Sequence, residues 1–169
     1  MKTAAQRLVQ RRGWLVPVKK ENMLTLVGTF SPAFTQRYGG ESETRRLYDL
    51  SLAESDGVWL AGHEAKALFL CGVKLDLDPT IGQCWVFPFD TVHQHPITTL
   101  LAARAALELQ AKLGLRHVFS FVPEIDTRSM FFAMHVGFSI GNDTLDLPIG
   151  PSAMITWSPE KRLASTNAG

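Results

Sequence analysis

Apolar positions along the chain change texture twice. Between Arg11, Arg12 and Lys19, Lys20, the run Trp14 to Val18 predicts a first strand. Pro17 marks it as an edge or an end, because proline cannot donate to a ladder. From Glu21 to Phe30, the residues Met23, Leu24, Leu26, Val27 and Phe30 recur at helical spacing. A second helix is expected after a break bracketed by Ser31-Pro32 and Gly39-Gly40. Ser42 and Arg45 open that helix, and Leu47, Tyr48, Leu50 and Leu52 form its buried face up to Ser55.

Strand texture follows. Gly57 to Ala61 ends at the turn Gly62-His63-Glu64, and Ala67 to Val73 resumes at once, the pattern of a hairpin with a buried second strand. Asp76, Asp78, Pro79 and Gly82 mark the next turn, and Gln83 to Phe89 is an aromatic strand stopped by Pro88 and Asp90. The longest helix is expected from Ile97 to Leu113, with Pro96 in its first turn and Gly114 as its stop. Val118 to Val122 predicts another strand, and Asp126 caps a short helix that runs through Val136 and ends at a left-handed Gly137. Phe138 to Ile140 and Ala153 to Trp157 close the order as strands.

This order predicts an α/β class with a mixed, mainly antiparallel sheet. The 169-residue length suits one domain, expected over residues 1–158, followed by a polar tail over residues 159–169. With 17 basic and 16 acidic side chains the net charge is +1, so no large field exists to attract nucleic acid or anionic lipid. The N-terminal stretch has no apolar segment after its charges and no run reaches about eighteen apolar residues, so a cytoplasmic protein is expected.

Few residues offer chemistry of their own. Cys71 and Cys84 lie in apolar strands and read as reduced core thiols. His93 and His95 are two imidazoles without a nearby third ligand, so no metal is expected. Phe119, Phe121, Phe131 and Phe132 read as core rather than as a base-stacking platform.

The element order, together with the segment Asp126-Thr127-Arg128-Ser129-Met130-Phe131-Phe132-Ala133-Met134-His135-Val136-Gly137-Phe138, resembles the GNAT superfamily of N-acetyltransferases. Asp126, Ser129, Gly137 and Phe138 stand where that family's short penultimate helix carries an Asn, a small residue and a closing Gly-Phe. A further likeness is to GNAT-like proteins of tailed phages, among them an internal virion protein. It rests on Ser51-Leu52-Ala53-Glu54-Ser55, Trp59, Gly72-Val73, Trp85 and His95-Pro96.

The resemblance implies a GNAT fold and an acyl-CoA-dependent N-acetyltransferase acting on an amine. Acetyl-CoA is the implied cofactor. The strand residues Trp85, Val86 and Phe87 would meet its pantetheine, and Ile97, Thr98 and Thr99 at the long helix N-terminus would meet its phosphates. Asp126 and Ser129 would border the channel, while no residue is assigned a catalytic role. The sequence departs from the family in two places. Asp90 to Thr99 replaces the glycine-rich phosphate loop, with no glycine from Gln83 to Leu113. The position of the tyrosine that serves the family as general acid is Ala133, and the only tyrosines, Tyr38 and Tyr48, lie early in the chain. Glu64 and Glu124 are the weak candidates for a base. These departures raise an alternative from another class: a non-catalytic GNAT-fold phage protein, in the virion or the host cytoplasm, that binds a phage or host protein.

Overall fold

The computed structural model describes residues 1–23 and 28–160. Its first element lies before the expected first strand. Thr3 accepts from the Gln6 backbone while the Gln6 side chain accepts from the Thr3 backbone, and this capping box starts α1 (Ala4–Gln10). Two residues one turn apart, Ala4 and Leu8, anchor it. β1 (Gly13–Pro17) follows as an edge strand, as Pro17 requires.

The helix expected from Glu21 to Phe30 is not formed as such. Lys20–Met23 is a 3₁₀ turn, and Phe30 bridges to Phe89. Leu24, Leu26 and Val27 lie outside the described residues. The supposed break contains α2 (Pro32–Arg37), where Pro32 sits in the first turn. α3 (Glu41–Glu54) then buries Thr44, Tyr48 and Leu52, but Leu50 is exposed, because it falls off the i, i+4 row of Thr44, Tyr48 and Leu52.

β2 (Gly57–His63) and β3 (Lys66–Leu75) form the expected hairpin, and β4 (Ile81–Pro88) continues it antiparallel. A 3₁₀ turn (Asp90–Gln94) leads into α4 (Pro96–Lys112), then β5 (His117–Pro123) and α5 (Thr127–Val136). Asp126 caps α5, and Gly137 ends it at φ 119°, a conformation only glycine adopts freely. β6 (Ser139–Leu147) runs well beyond the expected Ile140 and pairs with β7 (Gly150–Trp157). Residues 161–169, most of the expected tail, lie outside the described residues.

The strands form one sheet in the order β1-β2-β3-β4-β5-β7-β6. All its pairings are antiparallel except β4 with β5, which α4 connects. Helices cover both faces. On one face α1, α4 and α5 pack Leu8, Leu101, Ala105 and Val136 onto Phe69, Cys71 and Trp157. On the other, Met23, Tyr48 and Leu52 meet Leu70, Phe87 and Phe89, and the Tyr48 hydroxyl donates to the Met23 carbonyl at 2.7 Å. Buried tyrosine is tolerated there because its hydroxyl is satisfied. Among the described residues, no helix is long and apolar enough to cross a membrane.

Candidate functional site

β4 and β5 stay together for only three pairs, Ile81 with His117, Gly82 with Val118 and Gln83 with Phe119. Beyond them each strand follows its other neighbour: β4 stays with β3 up to Pro88, and β5 with β7 up to Pro123. Both diverging strands end in proline, which lacks the N–H that continued pairing would need. The result is a V-shaped opening through the sheet with one edge of β4 left bare.

A cavity of about 730 Å³ occupies that opening. Trp85, Val86 and Phe87 line it from β4. Phe34, Arg37 and Tyr38 close it from one face of the sheet, and Thr99, Ala106, Gln110 and Phe132 from the other. Its size falls within the range of cofactor and ligand pockets, roughly 300–1,000 Å³. At the apex the Gln110 side chain is 2% exposed, yet its amide oxygen has no hydrogen-bond partner in the protein. A buried acceptor left in that state costs about 1–3 kcal/mol.

Asp126 lies behind the wall and is fully buried. It accepts the Ser129 backbone N–H at 3.1 Å, the Ser129 hydroxyl at 2.6 Å and the Arg37 Nη1 at 2.7 Å. Ser129 itself reaches the cavity. The cap of α5 therefore also holds a guanidinium at the mouth. Tyr38 follows directly and stacks on Phe34 with ring centroids 4.2 Å apart. Burial and the Asp126 charge push its phenol well above the usual range, so it stays protonated. His93 also lines the cavity, with Nε2 at 3.2 Å from the Ser31 hydroxyl.

The entrance to α4 is unlike a glycine loop. The Asp90–Gln94 turn is tied down by Thr91, whose hydroxyl donates to the Ala67 carbonyl, and by Lys66, which donates to Gln94 at 3.0 Å. His95 precedes the helix without a side-chain cap, and Pro96 contributes no N–H. The Thr99 hydroxyl is committed to the His95 carbonyl at 2.9 Å. Thr98 is buried against Gly13, where an added Cβ would meet its methyl at 2.7 Å. Ile97 and Thr98 face not the large cavity but a smaller one of about 360 Å³, shared with Arg11, Arg12, His63 and His95. There His63 and His95 stack with centroids 4.1 Å apart, and desolvation, with the nearby His63 and Lys66, lowers the His95 pKa.

Of the residues expected to meet the cofactor, Trp85, Val86, Phe87, Thr99 and Ser129 surround the large cavity, Asp126 supports it, and Ile97 and Thr98 stand apart. Both weak candidates for a base lie elsewhere: Glu64 is paired with Arg12 at 2.8 Å, and Glu124 accepts from the Thr144 hydroxyl. Tyr38, early in the sequence, is nevertheless at the wall. Arg37, Tyr38 and Gln110 were not identified as site residues from the sequence. The Ser31-Pro32 start with Phe34 and Tyr38 one turn apart was the available signal for the first two. Phe131, expected in the core, is 63% exposed, because it falls on the outer side of α5. Cys71 and Cys84 are free thiols. Burial raises both, Cys84 to about 12, which leaves neither a nucleophile at neutral pH.

No protein-family model matches the sequence, and no curated protein does. Solved structures do match. The aminoglycoside acetyltransferase AAC(6')-Ib in complex with coenzyme A superposes with a TM-score of 0.71 at 12% identity, covering 91% of this chain and 99% of that one. Spermidine N-acetyltransferase from Vibrio cholerae, in complex with CoA and spermine, gives 0.67 at 11% identity over 90% and 98%. A GNAT-family acetyltransferase from Streptococcus pneumoniae gives 0.59 at 15% over 86% and 98%. The sheet order, the single parallel pair and its splay, and the match to these structures show that the chain has the GNAT, or acyl-CoA N-acyltransferase, fold.

Proposed function

We propose that this chain is an acyl-CoA-dependent N-acyltransferase whose cofactor occupies the opening between β4 and β5. The observation that carries this reading is the open cavity itself. A fold kept only as a scaffold has no need of about 730 Å³ of open space between two strands, a volume within the range of cofactor pockets. The unpartnered Gln110 oxygen at the apex supports the same reading, because a ligand N–H would satisfy it. Neighbours in structure bind CoA, and the residues here fit such a group: an apolar slot, a bare strand edge and a buried acceptor.

When bound, acyl-CoA supplies an acyl group activated as a thioester. The acceptor nitrogen forms the new C–N bond, the C–S bond breaks, and one proton passes overall from nitrogen to the departing thiolate. Trp85, Val86 and Phe87 would hold the pantetheine along the β4 edge. The Trp85 indole donates to the Ser55 hydroxyl at 2.7 Å, which fixes that wall. His93 and Tyr38 bring polar side-chain atoms to the cavity, with His93 Nε2 at 3.2 Å from the Ser31 hydroxyl and the Tyr38 phenol held protonated by burial. Positioning would account for most of the rate, since holding two reactants in line removes up to roughly 7–11 kcal/mol of barrier.

The α4 entrance favours a second reading, a non-catalytic GNAT-fold protein of the tailed-phage kind that works in a virion or by binding a host protein. Pro96 and the tied-down Asp90–Gln94 turn support it, because phosphates need open backbone N–H groups. Isothermal titration with acetyl-CoA, of the chain and of Ala106→Trp, separates the two. The enzyme reading expects one saturable site, lost when the indole fills the slot. No heat above dilution at millimolar acetyl-CoA would leave the scaffold.

A further inference from the structure

The charges around the large cavity are one-sided. Arg37 and Arg128 line it, while no aspartate, glutamate or lysine does among the described residues. Asp126, the nearest acid in the wall, is fully buried and already accepts three hydrogen bonds.

A polycationic amine bound here would lose water and find no anion to replace it, which is costly in a low-dielectric slot. Arg37 offers the opposite. Its side chain is 27% exposed, one terminal nitrogen is pinned to Asp126 at 2.7 Å, and the rest of the guanidinium has no partner among the described residues. Pinning by a buried carboxylate fixes the plane of the fork, so little further entropy is lost when it binds a second, planar anion. Beside it stand Phe34 and Tyr38, stacked with centroids 4.2 Å apart, aromatic faces suited to an apolar body.

We propose that the acceptor is a small amine that carries a carboxylate and an apolar or aromatic body, with Arg37 reading the carboxylate. This inference rests on the transferase reading above. The same positive field serves the chemistry, because nearby cations lower an ammonium's pKa and so favour the neutral nucleophile. Arg128, exposed at the same mouth, adds to the field.

L-Phenylalanine, its amide, phenethylamine and spermine form a panel that varies charge at a primary amine. With acetyl-CoA, release of CoA thiol is measured for each; without it, binding of each is measured by calorimetry. The expected result is that phenylalanine is preferred to its amide by tenfold or more in kcat/KM and in affinity, with spermine last. Because Arg37→Gln alone strands the buried Asp126, the double variant Arg37→Gln/Asp126→Asn is used beside it. Both should raise KM for phenylalanine at least tenfold and leave phenethylamine within about twofold. Equal use of phenylalanine and its amide, or preference for spermine, overturns the proposal. A carboxylate preference in binding without any thiol release upholds the anion site while the transferase reading falls.

Discussion

Asp126 is asked to do two jobs, and their sum can be measured. Replacing it with alanine removes the α5 cap, worth about 0.5–2 kcal/mol. It also strands Arg37, and breaking a buried pair costs about 3–5 kcal/mol when the remaining charge is itself buried. Arg37 keeps 27% of its side chain exposed and can rehydrate, so its stranding costs less than that range, about 2 kcal/mol. A total near 3 kcal/mol follows for Asp126→Ala, against about 1 kcal/mol had the residue been a cap alone. In a domain of this size each kcal/mol moves the midpoint by roughly 2–4 °C, which gives a loss of about 6–12 °C. Urea denaturation of Asp126→Ala, Arg37→Ala and the double variant then gives the coupling directly. Residues in contact show 0.5–3 kcal/mol of interaction, and a value above about 1 kcal/mol is expected. Additivity within about 0.3 kcal/mol would mean that the pair does not form in solution, and both the mouth geometry and the role given to Arg37 would go with it.

Two further outcomes are open to direct measurement. Ile97 is 52% exposed in the first turn of α4, so Ile97→Asp should leave the free protein as stable or slightly more so, by about 0.3–1 kcal/mol through the helix dipole. If phosphates sit at that helix end, the same change should weaken acetyl-CoA binding at least fivefold, and an unchanged dissociation constant would place them elsewhere. Thr98, buried against Gly13, is unsuitable for this test because a charge there would unfold the helix start. The second concerns the thiols. Burial raises Cys71 and Cys84 above their ordinary value of 9.0, and Tyr48 from 10.0 to about 12. Groups with raised folded-state values contribute fully below their unfolded pKa and lose that contribution as pH rises through the folded one. Stability should therefore fall between about pH 9 and 12, less steeply in Cys84→Ala, and native protein at pH 8 should resist a thiol reagent. Fast labelling of Cys71, which is buried where Cys84 is only partly so, would contradict the burial if it occurred without unfolding.

Much of the fold was legible because its signals are local. The β2–β3 hairpin, α4 between Pro96 and Gly114, and α5 between Asp126 and Gly137 each carry their own start and stop residues. α1 was missed because seven residues present only Ala4 and Leu8 to a core, too few for a period, although Thr3 and Gln6 spelled its capping box. The helix expected from Glu21 to Phe30 failed for the converse reason: Phe30 has helical spacing but its burial comes from Phe87, Phe89 and Tyr48, distant in sequence. The site was legible on the strand side, at Trp85 to Phe87, and illegible on the α2 side. Arg37 and Tyr38 reach the cavity only because the sheet opens between β4 and β5, and no local pattern announces that gap.

The central claim is that the opening takes acyl-CoA, and the melting temperature measured against acetyl-CoA concentration tests it most directly. A ligand that binds only the folded chain stabilises it by about 2.7 kcal/mol at one hundred times its dissociation constant. For a domain of this length that is a rise of roughly 5–10 °C, and it should saturate and vanish in Ala106→Trp. A midpoint that stays within about 2 °C at millimolar acetyl-CoA, in a protein whose Asp126 and Arg37 are shown to couple, would contradict the claim.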